Sequence, residues 1–182
     1  MLRDSTVVAS RWAKVVAGAG DNAAAAVGTG VVGEGGCNIS LGTSGTVFIS
    51  SKKFGMDPNN ALHAFAHADG GWHLMGCMLS AASCNKWLCD DILKTTDYAA
   101  EQKDRNHVYF LPYLMGERSP INDTNARGTF IGMTMDTTRS DLVQAVLEGV
   151  AFAIRDSFEV ARSLGLDIPS SKLCGGGSKS PL

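Results

Sequence analysis

From Ser140 onward the apolar residues fall into step with an α-helix. Leu142, Val143, Val146, Leu147, Val150, Ile154, Phe158 and Ala161 share one face, Arg155, Glu159 and Arg162 lie away from it, and Gly165 supplies a C-terminal stop. Such a face has to be covered by a second layer. The residues upstream read as one. CNISLG (37–42) and TVFISS (46–51) flank a TSG turn, and LHAFAHA (62–68) and GWHLMGCML (71–79) flank Asp69-Gly70, which predicts two successive β-hairpins.

Around these elements, KVVAG (14–18) reads as a short buried strand and DNAAAAVGTGVV (21–32) as a closely packed helix of small residues. SAASCNKWLCDDILK (80–94) has helical period, with Ser80 or Ser83 near its start; 97–107 is polar, the end of a helix and a loop. VYFLPYL (108–114) is extended, and GERSPINDTNARG (116–128) is a long polar loop. SKLC (171–174) forms a strand, GGG a turn, and Ser180-Pro181 an N-cap and first helical residue. Because a helix opens just where the chain stops, the expectation is a domain incomplete at its C-terminal end, with residues 1–13 a linker or start segment and 14–182 the domain itself.

The 182 residues carry a net charge of −2 with no basic block, which argues against nucleic acid or an anionic membrane as a partner. The five cysteines form no CxxC pair, so free thiols in a reducing cytosol are the expectation. No apolar run is long enough for a signal peptide or a transmembrane span, which points to a cytoplasmic protein.

Several motifs compete for a chemical role. GTGVVG (28–33) fits a dinucleotide fingerprint but closes a helix instead of following a strand. GAGDNA (18–23) does follow a strand, yet CNISLG lacks the acid that would hold a ribose, and Asp21 would face a pyrophosphate. Asp21 itself is either a helix cap or a carboxylate aimed at a ligand. His63, Phe65 and His67 alternate on one strand face, so the two histidines read as a satisfied structural pair and not a zinc site. LGTSG (41–45) is a tight turn or a phosphate cradle built from amides and the Thr43 and Ser44 hydroxyls; Gly175–Gly177 is a second turn that a nucleotide can approach closely. Three glycine turns at strand ends or hairpin tips point to one shared cleft.

Taken together, VVAGAGDNAAAAVG, SLGTSG, HAFAHA, WHLMG, SAAS, FLPYLMGERSPINDTNARG and GGGSKS resemble the FGGY carbohydrate kinase family, and within it the members that act on xylulose. GTFIGMTMDTTRSDLVQAVLE (128–148) is similar to that family's C-terminal signature, and the resemblance runs from about residue 14 to 182. It implies an α/β fold of the actin-like ATPase type, two RNase H-like domains around a cleft, of which this chain is the second. It implies transfer of the γ-phosphate of ATP, with Mg²⁺, to a hydroxyl of D-xylulose, giving D-xylulose 5-phosphate. On the matching positions it makes Asp21 the general base and Asn22 a sugar contact. It makes Thr43 a nucleotide phosphate contact with Gly42 and Ser44 beside it, Gly176 and Gly177 the adenosine-binding turn, and Ala82 a further nucleotide contact. No residue of this chain matches a dedicated metal ligand.

The family's N-terminal domain, with its own phosphate loop and sugar contacts, has no counterpart here, so the chain alone is expected to be inactive and to need that domain as partner. Exposed apolar sheet surface favours self-association, in the simplest case a homodimer. The alternatives are an isolated actin-like nucleotide-binding or interaction module, and a kinase of the same family for ribulose or glycerol.

Overall fold

The computed structural model describes residues 18–96 and 106–179. The expected strand at 14–18, the polar stretch at 97–107 and the helix start at Ser180-Pro181 lie wholly or mostly outside them. Among the described residues no helix is long and apolar enough to cross a membrane.

Both hairpins form. Strand β1 (Cys37–Leu41) pairs antiparallel with β2 (Gly45–Ser51), Leu41 opposite Gly45, so the connecting turn is Gly42–Ser44. Strands β3 (His63–Ala66) and β4 (Trp72–Met78) pair around the Asp69-Gly70 turn, and β4 also pairs along the whole of β2. Strand β7 (Lys172–Cys174) joins β1 in parallel, giving the sheet order β3-β4-β2-β1-β7. A separate ribbon pairs β5 (Tyr109–Leu111) with β6 (Thr129–Ile131).

Strand β2 shows how the layers arise from a period of two. Val47 and Ile49 point to one face, into a core with Cys37, Leu62, Leu74 and Ala161. Phe48, between them, points to the other and packs with Ala26 and Val31. Helix α1 (Asp21–Gly28) therefore covers one face of the sheet and α3 (Arg139–Ser163) the other. At 1.5 Å per residue, α3 is about 37 Å long. Its first half serves a second core with α2 (Ala82–Trp87) and β5, built from Cys84, Leu88, Cys89, Val108, Phe110, Val143 and Val146.

Two helix boundaries differ from the sequence reading, those of α1 and α3, while α2 starts between Ser80 and Ser83 as expected. Helix α1 ends at Gly28, because the Thr29 hydroxyl donates to the Ala25 and Ala26 carbonyls (2.9 and 3.1 Å) and Gly30 turns left-handed at φ 74°. Helix α2 begins at Ala82 with Ala81 as its N-cap; neither Ser80 nor Ser83 caps it, and it continues as a π-helical turn, Leu88–Ile92. Helix α3 begins at Arg139, where Thr138 and Asp141 form a reciprocal capping box. Gly165, at φ 84°, ends it as expected.

The face of α3 also needs correction. Val143, Val146 and Ala161 of the expected face are buried, the line continues through Ala145, Gly149, Ala153 and Ser157, and Leu142, Leu147, Val150, Ile154 and Phe158 flank it half-buried against the cores. Small residues lie innermost because the helix rests almost on backbone. A Cβ at Gly149 would collide with the Phe110 carbonyl oxygen, and one at Gly76 would meet Ser157. Gly149→Ala is therefore expected to destabilise the fold by about 1–3 kcal/mol through overpacking, although the same change in an open helix stabilises. Chemical denaturation of the two proteins measures this; a stabilised variant would show that α3 does not sit this close to β5.

Candidate functional site

The turn Gly42–Ser44 is held by the start of α2. The Ala82 amide donates to the Gly42 carbonyl (3.1 Å), and the Thr43 carbonyl accepts from the Ala81 amide (2.9 Å), the Ser83 amide (3.4 Å) and the Ser83 hydroxyl (2.8 Å). The orphan amides at a helix N-terminus are thus satisfied by hairpin carbonyls instead of a cap side chain. Ser44 donates its hydroxyl to the Leu79 carbonyl (3.1 Å), so that group ties the turn down and is not free for an anion. The Gly42 amide is also used, donating to the Ser44 carbonyl at 3.0 Å. What remains for a ligand are the exposed Thr43 side chain and the amides of Thr43 and Ser44, none of which bonds another described residue.

The second glycine turn lies against the first. Gly175, at φ 90°, sits where a Cβ would strike the Leu41 carbonyl oxygen, and a Cβ at Gly177 would lie 2.9 Å from Leu41 Cβ and 3.6 Å from Ala82 Cβ. A cavity of about 620 Å³ opens there, lined by Leu41, Ala82, Gly176, Gly177 and, from α3, Leu147 and Ile154. Cavities of about 500 and 370 Å³ elsewhere contain none of the predicted contacts. The structure thus brings Ala82, Gly176 and Gly177 into one apolar cleft of ligand size, with Gly42, Thr43 and Ser44 on the turn bonded to the helix that opens it.

Asp21 is not the N-cap of α1. Gly20 holds that position, with ψ 155°, and Asp21 is the first helical residue, exposed. Its Oδ1 accepts from the Asn22 amide (2.8 Å) and from Asn22 Nδ2 (3.3 Å), while no described residue bonds Oδ2. The Thr46 hydroxyl donates to Asn22 Oδ1 at 3.3 Å, and Thr46 is one residue beyond the first of β2. This bond brings the start of α1, with its open carboxylate oxygen, to the base of the hairpin tip.

The far end of α1 is clasped by the β3–β4 turn. His67, 5% exposed, donates from Nε2 to the Val31 carbonyl (3.0 Å) and accepts the Asp69 amide at Nδ1 (3.3 Å). Asp69 accepts the Gly33 and Gly71 amides, and these bonds, Gly33's first, hold its carboxyl below the ordinary carboxylate range. The expected pairing of His63 with His67 is not what forms. His67 and His73 instead pack with Phe48, burial pushes His73 down to about 4, and buried His63 Nε2 has no partner among the described residues. All five cysteines are free thiols, with burial pushing Cys37 and Cys84 up to about 12.

One residue of the site went unread in the sequence. Glu117, 1% exposed, accepts the Leu79 amide (2.9 Å) and the Arg118 amide (2.8 Å) on Oε1, and its Oε2 is buried without a partner among the described residues. In the sequence it is one charge in a polar loop, and only its burial singles it out.

Known proteins agree with this architecture. Residues 37–182 match the C-terminal domain of the FGGY family of carbohydrate kinases. The chain belongs to that family. Xylulose kinase of Escherichia coli (strain K12) is 44% identical over 95% of this chain and 38% of its own length. A crystal structure of a xylulose kinase from Brucella ovis superposes with a TM-score of 0.84 at 47% identity, over 90% of this chain and 35% of that one. Plasmodium falciparum glycerol kinase with ADP gives 0.75 at 25% identity, over 88% of this chain and 34% of that one. The fold is thus the mixed α/β C-terminal domain of actin-like sugar kinases, and the chain spans under two-fifths of the length of these relatives.

Burial raises the Glu117 pKa, and the Leu79 and Arg118 amides and the Arg118 charge only partly offset it. A carboxyl that keeps its proton to higher pH when folded contributes stability below its unfolded pKa, about 4.3, and loses that contribution as pH rises through the folded value. Glu117→Gln has nothing to titrate. Its melting temperature relative to the parent chain should therefore rise as the pH is taken upward from the unfolded carboxyl pKa, about 4.3. A difference that stays flat over that rise in pH in paired thermal melts would contradict a buried, titrating Glu117.

Proposed function

We propose that this chain is the nucleotide-side half of an ATP-dependent sugar kinase that phosphorylates D-xylulose to D-xylulose 5-phosphate, working with a second domain such as fills the remaining length of its relatives. The observation that carries the reading is the convergence of an open carboxylate oxygen on Asp21, an exposed hairpin tip and a glycine-lined apolar cleft on connected elements. Phosphoryl transfer asks a protein chiefly for positioning and charge stabilisation, with one carboxylate to take the hydroxyl proton. Asp21 Oδ2 is that acceptor, and Asn22, fixed by Thr46 and Asp21, contacts the sugar. The Thr43 side chain and the amides of Thr43 and Ser44 meet phosphate. Gly176, Gly177 and Ala82 leave room for the flat face of a nucleoside, and Gly42 positions the tip.

Among the described residues no three His, Cys, Asp or Glu side chains gather into a metal site. Mg²⁺ arriving with ATP would be carried largely by phosphate oxygens and water and would need one or two carboxylates at most. Its contribution when bound is to neutralise charge on the phosphates. D-xylulose is favoured as the sugar because identity to xylulose kinases reaches 44–47%, against 25–27% for structurally similar glycerol and gluconate kinases.

In the two-domain enzyme, Asp21→Asn keeps the shape and removes the proton acceptor, so turnover should fall at least about 100-fold with ATP affinity little changed. Near-normal phosphorylation of D-xylulose by that variant would remove Asp21 from the chemistry. The chain by itself should bind ATP and show no sugar-dependent ADP release, since orientation of both substrates supplies about 7–11 kcal/mol of such barriers. Thr43→Val removes a hydrogen bond to a charged group, about 1.5–3 kcal/mol, and should weaken ATP binding roughly 10- to 150-fold. Calorimetry that finds equal affinity in the folded variant would take the Thr43 hydroxyl out of the phosphate site.

A further inference from the structure

We infer that Glu117 is a positioning residue for the nucleotide cleft, acting through the backbone of Leu79; the inference rests on the nucleotide reading above. Leu79 follows β4 directly and leads into Ala81, the N-cap of α2. Its two backbone groups are bonded from opposite sides. The amide donates to Glu117 Oε1 at 2.9 Å, and the carbonyl accepts the Ser44 hydroxyl at 3.1 Å. Two residues further on, the Ala81 and Ala82 amides reach the Thr43 and Gly42 carbonyls. The Leu79 peptide is therefore the joint between the hairpin tip and the helix that lines the cleft, and Glu117 is the side chain that fixes it from behind.

The loop that carries Glu117 is itself held in place. The Glu117 amide and carbonyl both pair with Asp123, and the Ser119 amide donates to the Cys77 carbonyl at 3.0 Å. The loop is thus anchored to β4 two residues before Leu79, and the carboxylate has little freedom to follow if the joint moves. Only Oε1 takes part. Oε2 is buried and unbonded among the described residues, so what the site uses is an acceptor at a fixed reach and not a negative charge.

That distinction sets the experiment. In Glu117→Gln the amide oxygen occupies the same place and accepts from Leu79 and Arg118; Glu117→Asp keeps the charge and withdraws it by one methylene; Glu117→Ala removes the acceptor. Amide hydrogen exchange and ATP titration are measured on the same samples of the chain. Exchange at Leu79, Ala81 and Ala82 should be at least about 10-fold faster in the Asp and Ala variants and unchanged in Gln, an effect of the size expected for one lost hydrogen bond. ATP affinity should follow the same order, falling about 10-fold in Asp and Ala. Unchanged exchange in the Asp variant would overturn the joint. Altered exchange with unaltered ATP affinity would overturn the positioning role and leave the nucleotide reading standing. An affinity loss in Gln but not in Asp would show that charge is what matters, and also overturns the inference. A parent chain that binds no ATP fails the nucleotide reading itself, and the positioning role with it, while the exchange rates still test the joint. Should the Ala variant not fold, the Gln–Asp comparison carries the test alone.

Discussion

The helix that borders the cleft starts without a capping side chain, and much of the site depends on how that deficit is met. Ala81 is the N-cap of α2, and the amides that alanine cannot satisfy are taken by the Gly42 and Thr43 carbonyls of the hairpin turn. Two elements distant in sequence thereby become one rigid unit. The exchange has a functional side. A serine at position 81 would satisfy the helix locally and leave the turn free to move, whereas hairpin carbonyls satisfy it only if the turn stays in place. With its carbonyls engaged by α2, the turn leaves the Thr43 and Ser44 amides available, the polarity that suits an anion.

The same logic of close approach extends along α3. A helix of 25 residues can serve two cores only if it lies flat against both the sheet and the β5–β6 ribbon. Gly149 against Phe110, Ala153 beside Met78 and Ala81, and Ser157 against Gly76 are the contacts that permit it. Ala153 belongs to the small cluster that holds Ala81, so the helix that spans both cores also backs the N-cap of α2. Packing and site are therefore not separable here, and a core substitution near Ala153 would be felt at the hairpin turn.

How far the sequence could be read follows from the range of the interactions involved. Alternation in TVFISS and GWHLMGCML and the helical period after Ser140 are local, and the hairpins and α3 appear where those patterns put them. The glycine turns are legible as candidates in the sequence, but only at Gly175 and Gly177 does strain or close approach demand glycine. That Ala82, Gly176 and Gly177 line one cavity is a tertiary fact that only the family resemblance supplied in advance. The cap reading fails at Asp21, and no serine caps α2. Gly20 already has extended geometry before α1, and α2 draws its acceptors from 40 residues away. On α3 the expected Val143, Val146 and Ala161 are buried, but Gly149, Ala153 and Ser157 escape a reading by hydrophobicity, because contact with a backbone selects small residues. Glu117 left no local trace at all, since a carboxylate in a polar loop looks solvated until its burial is seen.

The position of the site in the sheet also has a physical cause. Strands β1 and β7 are parallel, with Ser40 opposite Cys174, so the chain leaves both at the same edge of the sheet. Gly42–Ser44 follows one strand and Gly175–Gly177 the other, and the carboxyl ends of parallel strands are where α/β folds open a crevice. An antiparallel β7 would have sent its glycine turn to the opposite edge, beside Cys37. The antiparallel β1–β2 hairpin completes the arrangement, because the same turn that ends β1 begins β2, and Thr46 on β2 then reaches Asn22. One parallel and one antiparallel neighbour of β1 thus bring two glycine turns and the Asp21 carboxylate to a single edge. The mixed sheet is what lets residues 21, 43 and 177 lie at the same edge.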